Sequence, residues 1–279
     1  MPALYAHLRL GEEVYKLLPN AYKKYIDRYP EAFILGTQGP DILFYHTPTK
    51  PNEIRKRASD LHMISGEEFF LEQGNKLLQT ANGGDVWAEN GAFAPYICGF
   101  LCHFTLDATC HSYIGEHTNE AVSHGKIESE FDKYLRRKDG IPIRGYNAAT
   151  PILDTDDTRE AVVKTFGVPE EKVALCIKTI RKYTGWFSKK CELFHALVHT
   201  VLKLSGHERK FGDMFLHKKD DPLCVEHNAV LWEKWQNAIP KAKEVIETYF
   251  ERLTEWVQTK RIHMELFRYN FDGLINTKE

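Results

Sequence analysis

Three polar residues threaded through an apolar helix constrain this chain more than any other feature. In GFLCHFTLDATCHSYIGEH (Gly99 to His117), Phe100, Leu101, Phe104 and Leu106 supply the bulk of a buried helix, yet His103, Asp107 and His111 recur at every fourth position. Residues four apart on a helix lie one turn on and about 40° round, so the three side chains form a single stripe. A second stripe, His124 and Glu128, begins shortly after it on what reads as an adjacent helix. Two readings fit. Converging imidazoles and carboxylates can hold a divalent metal such as zinc, or the same groups can form a hydrogen-bonded seam between helices. Asp107 is hardest for the seam, because a carboxylate amid apolar neighbours in mid-helix needs a dedicated cation.

The 279 residues are 43% hydrophobic and 27% charged, an ordinary globular composition in which disorder is not expected. A formal net charge of -2 gives no global attraction to nucleic acid or to an anionic membrane, so no nucleic-acid partner is expected, although a local basic patch stays open. In the opening MPALYAHLRLGEEVYKLLPN, Arg9, Glu12 and Glu13 interrupt what a secretory signal would keep apolar. No stretch reaches the roughly 18 to 20 apolar residues that span a bilayer. The cysteines (Cys98, Cys102, Cys110, Cys176, Cys191, Cys224) form no Cys-x-x-Cys pair and suit a reduced compartment. A cytoplasmic location is the expectation.

Hydrophobic periodicity predicts helices throughout, and the fold class is all-α. A first helix over about Leu4 to Leu18 carries His7 and is closed by Pro19; a second covers Tyr22 to Tyr29. FILGTQGPDILFY (Phe33 to Tyr45) is read as a loop with Asp41 at its tip, because Gly36, Gly39 and Pro40 break the period. Helical pattern resumes through Leu61, His62, Phe69, Phe70, Leu77 and Leu78 to Gly83, then from about Asn90 or Phe93 to Tyr113, and from His124 to about Arg137. Beyond the connection Lys138 to Asp157 come a short helix to Phe166, one opened by Pro169, Glu170 and Glu171, a long one through Phe187 to Leu204, and one from about His227 to Arg268 that Pro240 can kink or split.

The succession AHLRLGEEVYKLLP, FILGTQGPDILFY, Leu61-His62-Met63, GFLCHFTLDATCHSYI and HGKIESEFD resembles the zinc-dependent phospholipase C family, whose wider fold also serves single-strand-specific zinc nucleases. The order of all five blocks carries the resemblance, which covers roughly the first half of the chain. It implies a multi-helix bundle, with residues 1–148 carrying the metal site; the later part, 149–279, is expected to form additional C-terminal helices packed on it as one structural unit. It implies two or three zinc ions and a phosphate-ester substrate, with a phospholipid among the candidates. By position, Asp41, His62, His103 and Asp107 gather round one zinc, with Asp107 bridging to a neighbour, while His111, His124 and Glu128 hold another. His7 corresponds to the histidine of the remaining site, which secreted members complete with an N-terminal tryptophan. This chain starts Met1-Pro2-Ala3, so that site is expected to be weaker, differently completed or empty. The interval from Asp107 to His111 is also two residues shorter than in those enzymes.

In such a site the pKa of a shared water falls toward neutrality and the phosphate oxygens are neutralised during in-line attack. Asp41 is a ligand by the resemblance and the candidate catalytic residue, orienting or deprotonating the attacking water. A zinc-dependent phosphoesterase is the first reading; a catalytically inactive, metal-stabilised binding or regulatory protein is the alternative, and a metal-free bundle the third. Phe44 and Tyr45 are read as core or cleft lining, and Asp132 as either a partner that orients a ligand or a surface residue. His195 and His199 are read as core or interface, and His46, His117, His207, His217, His227 and His263 as surface or capping residues. The cationic run Lys178 to Lys190 is read as a solvated helix face, with an anionic surface as the other possibility.

Overall fold

The computed structural model describes residues 4–204, 212–214 and 216–275, without the side chains of residues 192, 199 and 214. The expectations for His207 and for the start at Met1 therefore lie outside the described residues, as does that for the His199 side chain. Among the described residues the structure is all-α: α1 (Leu4–Leu17), α2 (Asn20–Ile26), α3 (Pro30–Gly36), α4 (Glu53–Met63), α5 (Gly66–Ala81), α6 (Val86–Glu89), α7 (Phe93–His117), α8 (His124–Lys138), α9 (Asp156–Phe166), α10 (Glu170–Phe187), α11 (Glu192–Leu204) and α12 (Val225–Thr259). The only β pairing among them is two isolated bridges, Ser65 with Asn270 and Tyr269 with Ile275.

Helix α7 is the axle. Every residue from Phe93 to Asp107 is buried, as befits a helix that is apolar all round, and α3 packs on one side of it while α12 packs on another. The α3 crossing needs two glycines. A Cβ at Gly36 would stand 2.1 Å from the Tyr96 carbonyl oxygen, and one at Gly99 would stand 2.1 Å from that of Phe33. Only glycine on both helices allows so close a backbone approach.

Local chemistry sets several helix starts. Ser65 accepts from the Glu68 N–H and Ser123 from that of Lys126, while Thr155 and Thr158 form a reciprocal capping box. The Ser65 cap begins α5 immediately after α4, so the single pattern read from Leu61 to Leu78 is two helices.

Other boundaries correct the sequence reading. Phe33 to Tyr45 is not a loop: α3 runs into a 3-10 helix, Gly39–Tyr45, with Asp41 in its first turn. The tighter 3-10 turn accommodates the glycines and Pro40 that interrupt an α-helical period. The run to Leu204 is two helices, separated at Ser188 to Cys191. Helix α12 is neither split nor continued to Arg268: it is unbroken through Pro240 and ends at Thr259, where Lys260 takes a left-handed cap. Pro240 and Gln236 are both exposed, so the carbonyl that loses its helical donor faces water. His46 is buried rather than superficial, with Nδ1 3.0 Å from the Asn52 side-chain oxygen. Tyr45 is core, while Phe44 is half-buried with its ring 5.5 Å from that of His62.

Candidate metal centre

Five elements deliver the polar residues to one place. Helix α7 supplies His103, Asp107 and His111; α8 supplies His124 at its first turn and Glu128 one turn on; α1 supplies His7, α4 supplies His62, and the 3-10 helix supplies Asp41. All eight predicted site residues come together there. Their potential ligand atoms fall into three groups, each within 4.8 Å of one another: His7, His103 and Asp107; Asp41, His62 and His103; His111, His124 and Glu128.

The imidazoles are turned so that Nε2 faces the carboxylates. Nδ1 of His62 lies 2.7 Å from the Ala58 carbonyl, Nδ1 of His103 lies 3.2 Å from that of Thr37, and Nδ1 of His111 lies 2.8 Å from that of Phe271. A carbonyl only accepts, so each Nδ1 carries the proton and each Nε2 is left as a lone pair or a second donor. His7 stacks on His103 with ring centroids 4.3 Å apart.

The spacings suit a divalent metal as well as a seam of ion pairs. Nε2 of His62 is 3.2 Å from Asp41 Oδ1, and Nε2 of His111 is 3.4 Å from both Asp107 Oδ1 and Glu128 Oε1. Nε2 of His124 is 3.5 Å from Glu128 Oε1, and that of His7 is 3.3 Å from Asp107 Oδ1. Charge-assisted hydrogen bonds close to about 2.7–2.9 Å. Donors bound at about 2.0–2.1 Å to one tetrahedral zinc stand about 3.3–3.4 Å apart, which these separations match. His103 Nε2 and Asp107 Oδ2 are 2.9 Å apart, yet both are buried with no hydrogen-bond partner of acceptable geometry, as is His7 Nδ1. A cavity of about 20 Å³ bordered by His7, Asp107, His111 and Glu128 is large enough for one water or one ion.

Electrostatics agree with this chemistry. Burial alone would raise the Asp107 carboxyl, but His103, His111 and His7 outweigh it and hold it well below the usual range. Glu128 and Asp41 are likewise held low against their burial, with His124 and His111 among the contributors for Glu128 and His62 and His103 among those for Asp41. Three carboxylates are thus ionised in a site where Asp107 is 2% and His103 0% exposed. Burial lowers His111, yet Asp107 and Glu128 prevail and push it up to about 10. His62 is also raised, by Asp41, against its burial. Protons on these rings balance the carboxylates wherever no cation does.

Support for the site comes from residues the sequence marked weakly or not at all. Asp132 is not a surface residue: it is buried on α8 and accepts the Tyr5 and Ala6 N–H groups at 3.0 and 2.9 Å. It thereby caps the start of α1 beside His7, while Trp235 Nε1 donates to the Ala6 carbonyl from α12. Phe271, near the end of the described chain, packs its ring 5.7 Å from His62 and 6.1 Å from His103. No motif announces Phe271, because its polar contribution is a backbone carbonyl.

The fold and site together define an all-helical protein with clustered histidine–carboxylate groups suited to divalent metal. The model of the family described as zinc dependent phospholipase C matches residues 6–182, and the chain belongs to that family, a zinc-dependent phosphoesterase kind. Comparison with curated proteins and with solved structures gives no significant match. None of the helices described is long and apolar enough to cross a membrane.

Proposed function

We propose that this protein hydrolyses a phosphodiester or phospholipid by a metal-activated water. In this reading Asp41, His62, His103 and Asp107 hold one zinc; His111, His124 and Glu128 hold a second; and His7 with Asp107 contributes to a third position. Bound zinc would supply Lewis acidity, lowering the pKa of water and neutralising the phosphate oxygens. The observation that carries the reading is the inward turn of five imidazole Nε2 atoms toward three ionised carboxylates, four of them at zinc-like separations.

Asp107 is the bridge, since Oδ1 faces His7 and His111 while Oδ2 faces His103. Asp41 stands at the edge of the cluster, partly exposed, and held low enough to be a carboxylate at neutral pH. It orients the attacking water and accepts its proton. His124, on the partly exposed side, lies where a phosphate can approach.

Metal analysis and activity test this together. Purified protein should hold two or three zinc per chain and hydrolyse a generic phosphodiester, and Asp107→Asn should reduce hydrolysis to background. Full activity of metal-free protein would overturn the proposal, and zinc bound without hydrolysis would favour a binding or regulatory role.

A further inference from the structure

Helix α11 leaves an apolar stripe exposed. Leu193, Leu197, Val201 and Leu204 are 80%, 62%, 55% and 84% exposed and recur at helical spacing along one side. The opposite side is seated by His195, which is buried and contacts Arg144 and the Lys189 carbonyl. Single exposed leucines are commonplace, but four in register on one helix form a continuous stripe.

The surroundings are cationic. From Lys178 to Leu204 the chain carries Lys178, Arg181, Lys182, Lys189, Lys190 and Lys203 against the single acid Glu192, a net charge of +5 within a chain of net charge -2. All five lysines are exposed. On α10, Lys178, Lys182 and Trp186 follow one another at intervals of four, with Trp186 39% exposed and the Lys182 ammonium 4.6 Å from its ring. An aliphatic stripe edged by lysines and a half-exposed tryptophan is the composition of a helix that lies in a membrane interface. A second copy of the chain would bring the same excess of positive charge against itself, which opposes a self-interface.

We infer that the outward side of α11, with the lysine-bearing end of α10, docks on an anionic lipid surface. The aliphatic residues enter the headgroup boundary, and Lys182, Lys189 and Lys190 meet the lipid phosphates or carboxylates. Helix α10 also packs along the 3-10 helix that carries Asp41. The docking surface is thus built onto the same element as the candidate metal centre. It does not rest on the hydrolytic reading, because adsorption to lipid is measurable without turnover.

Flotation of the full chain with vesicles tests it. The protein should float with phosphatidylcholine vesicles containing about one third phosphatidylserine, and less with phosphatidylcholine alone or at raised salt. Leu197→Asp with Val201→Asp should weaken binding at least about tenfold, and Lys189→Glu with Lys190→Glu should remove the preference for phosphatidylserine. Circular dichroism and thermal melting of these surface variants should match the parent, separating lost binding from misfolding. Three results would overturn the inference: a parent protein that stays in solution with both vesicles, an aspartate variant that floats equally well, or a parent dimer that the aspartates convert to monomer.

Discussion

His111 on the central helix donates its Nδ1–H to the carbonyl of Phe271, 160 positions away in sequence, at 2.8 Å. The bond fixes the tautomer that presents Nε2 to Asp107 and Glu128, and the Phe271 ring packs edge-on to Phe69 and Phe100 behind the site. Residues beyond the 6–182 family match therefore help to organise the centre. Phe271→Ala should destabilise the fold by about 3–5 kcal/mol through the cavity it leaves. Zinc affinity should fall by about 10–100-fold as the strap loosens. Chemical denaturation and competition with a chelating dye measure the two effects separately.

Asp132 should act on the His7 side of the centre alone. Asp132→Ala removes the acceptor for the Tyr5 and Ala6 N–H groups and should cost about 1–2 kcal/mol, the range for losing a helix cap. Metal analysis should show a loss confined to the position that His7 serves, with metal at His111, His124 and Glu128 retained. Uniform loss of all metal would show that Asp132 supports the whole bundle.

Gly39 has φ of +49°, and a Cβ there would stand 2.2 Å from the His103 ring. Gly39→Ala should cost more than the about 1–2 kcal/mol that the left-handed conformation alone imposes, because His103 is fully buried and must move. Thermal melting gives the stability loss, and zinc content should fall with it.

Metal binding should be coupled to protons. With His111 pushed up to about 10, its ring is protonated at neutral pH when no cation is present, and His62 is shifted in the same direction toward holding its proton. Zinc must displace those protons, so affinity should increase between about pH 6 and 8 and binding should release acid. Titration calorimetry in buffers of different ionisation enthalpy counts the protons. The same shift governs the metal-free protein. A raised histidine stabilises fully below its unfolded value near 6.5, and the contribution disappears as pH rises through about 10. Chelated protein should therefore melt at lower temperature at pH 10 than at pH 6, as a thermal scan in chelator will show.

The centre was unusually legible because helical periodicity maps a four-residue interval directly onto one face. His103, Asp107 and His111 could be placed on a stripe with no tertiary information, and the five ordered motif blocks then linked them to His7, Asp41, His62, His124 and Glu128. Asp41 was located without its local structure, since glycine and proline announce a break in α-helix but do not distinguish a loop from a 3-10 turn. Continuity through Pro240 depends on which side of α12 meets water, a property of packing rather than of the residue. Phe271 was beyond reach, because a carbonyl that every residue possesses leaves no mark on composition or spacing.

Anomalous diffraction at the zinc edge from crystals of the purified protein tests the central claim most directly. Peaks are predicted within the groups formed by Asp41, His62 and His103, by His7, His103 and Asp107, and by His111, His124 and Glu128. A crystal grown with zinc in which these imidazoles and carboxylates pair with one another, and no peak lies among them, would contradict the account.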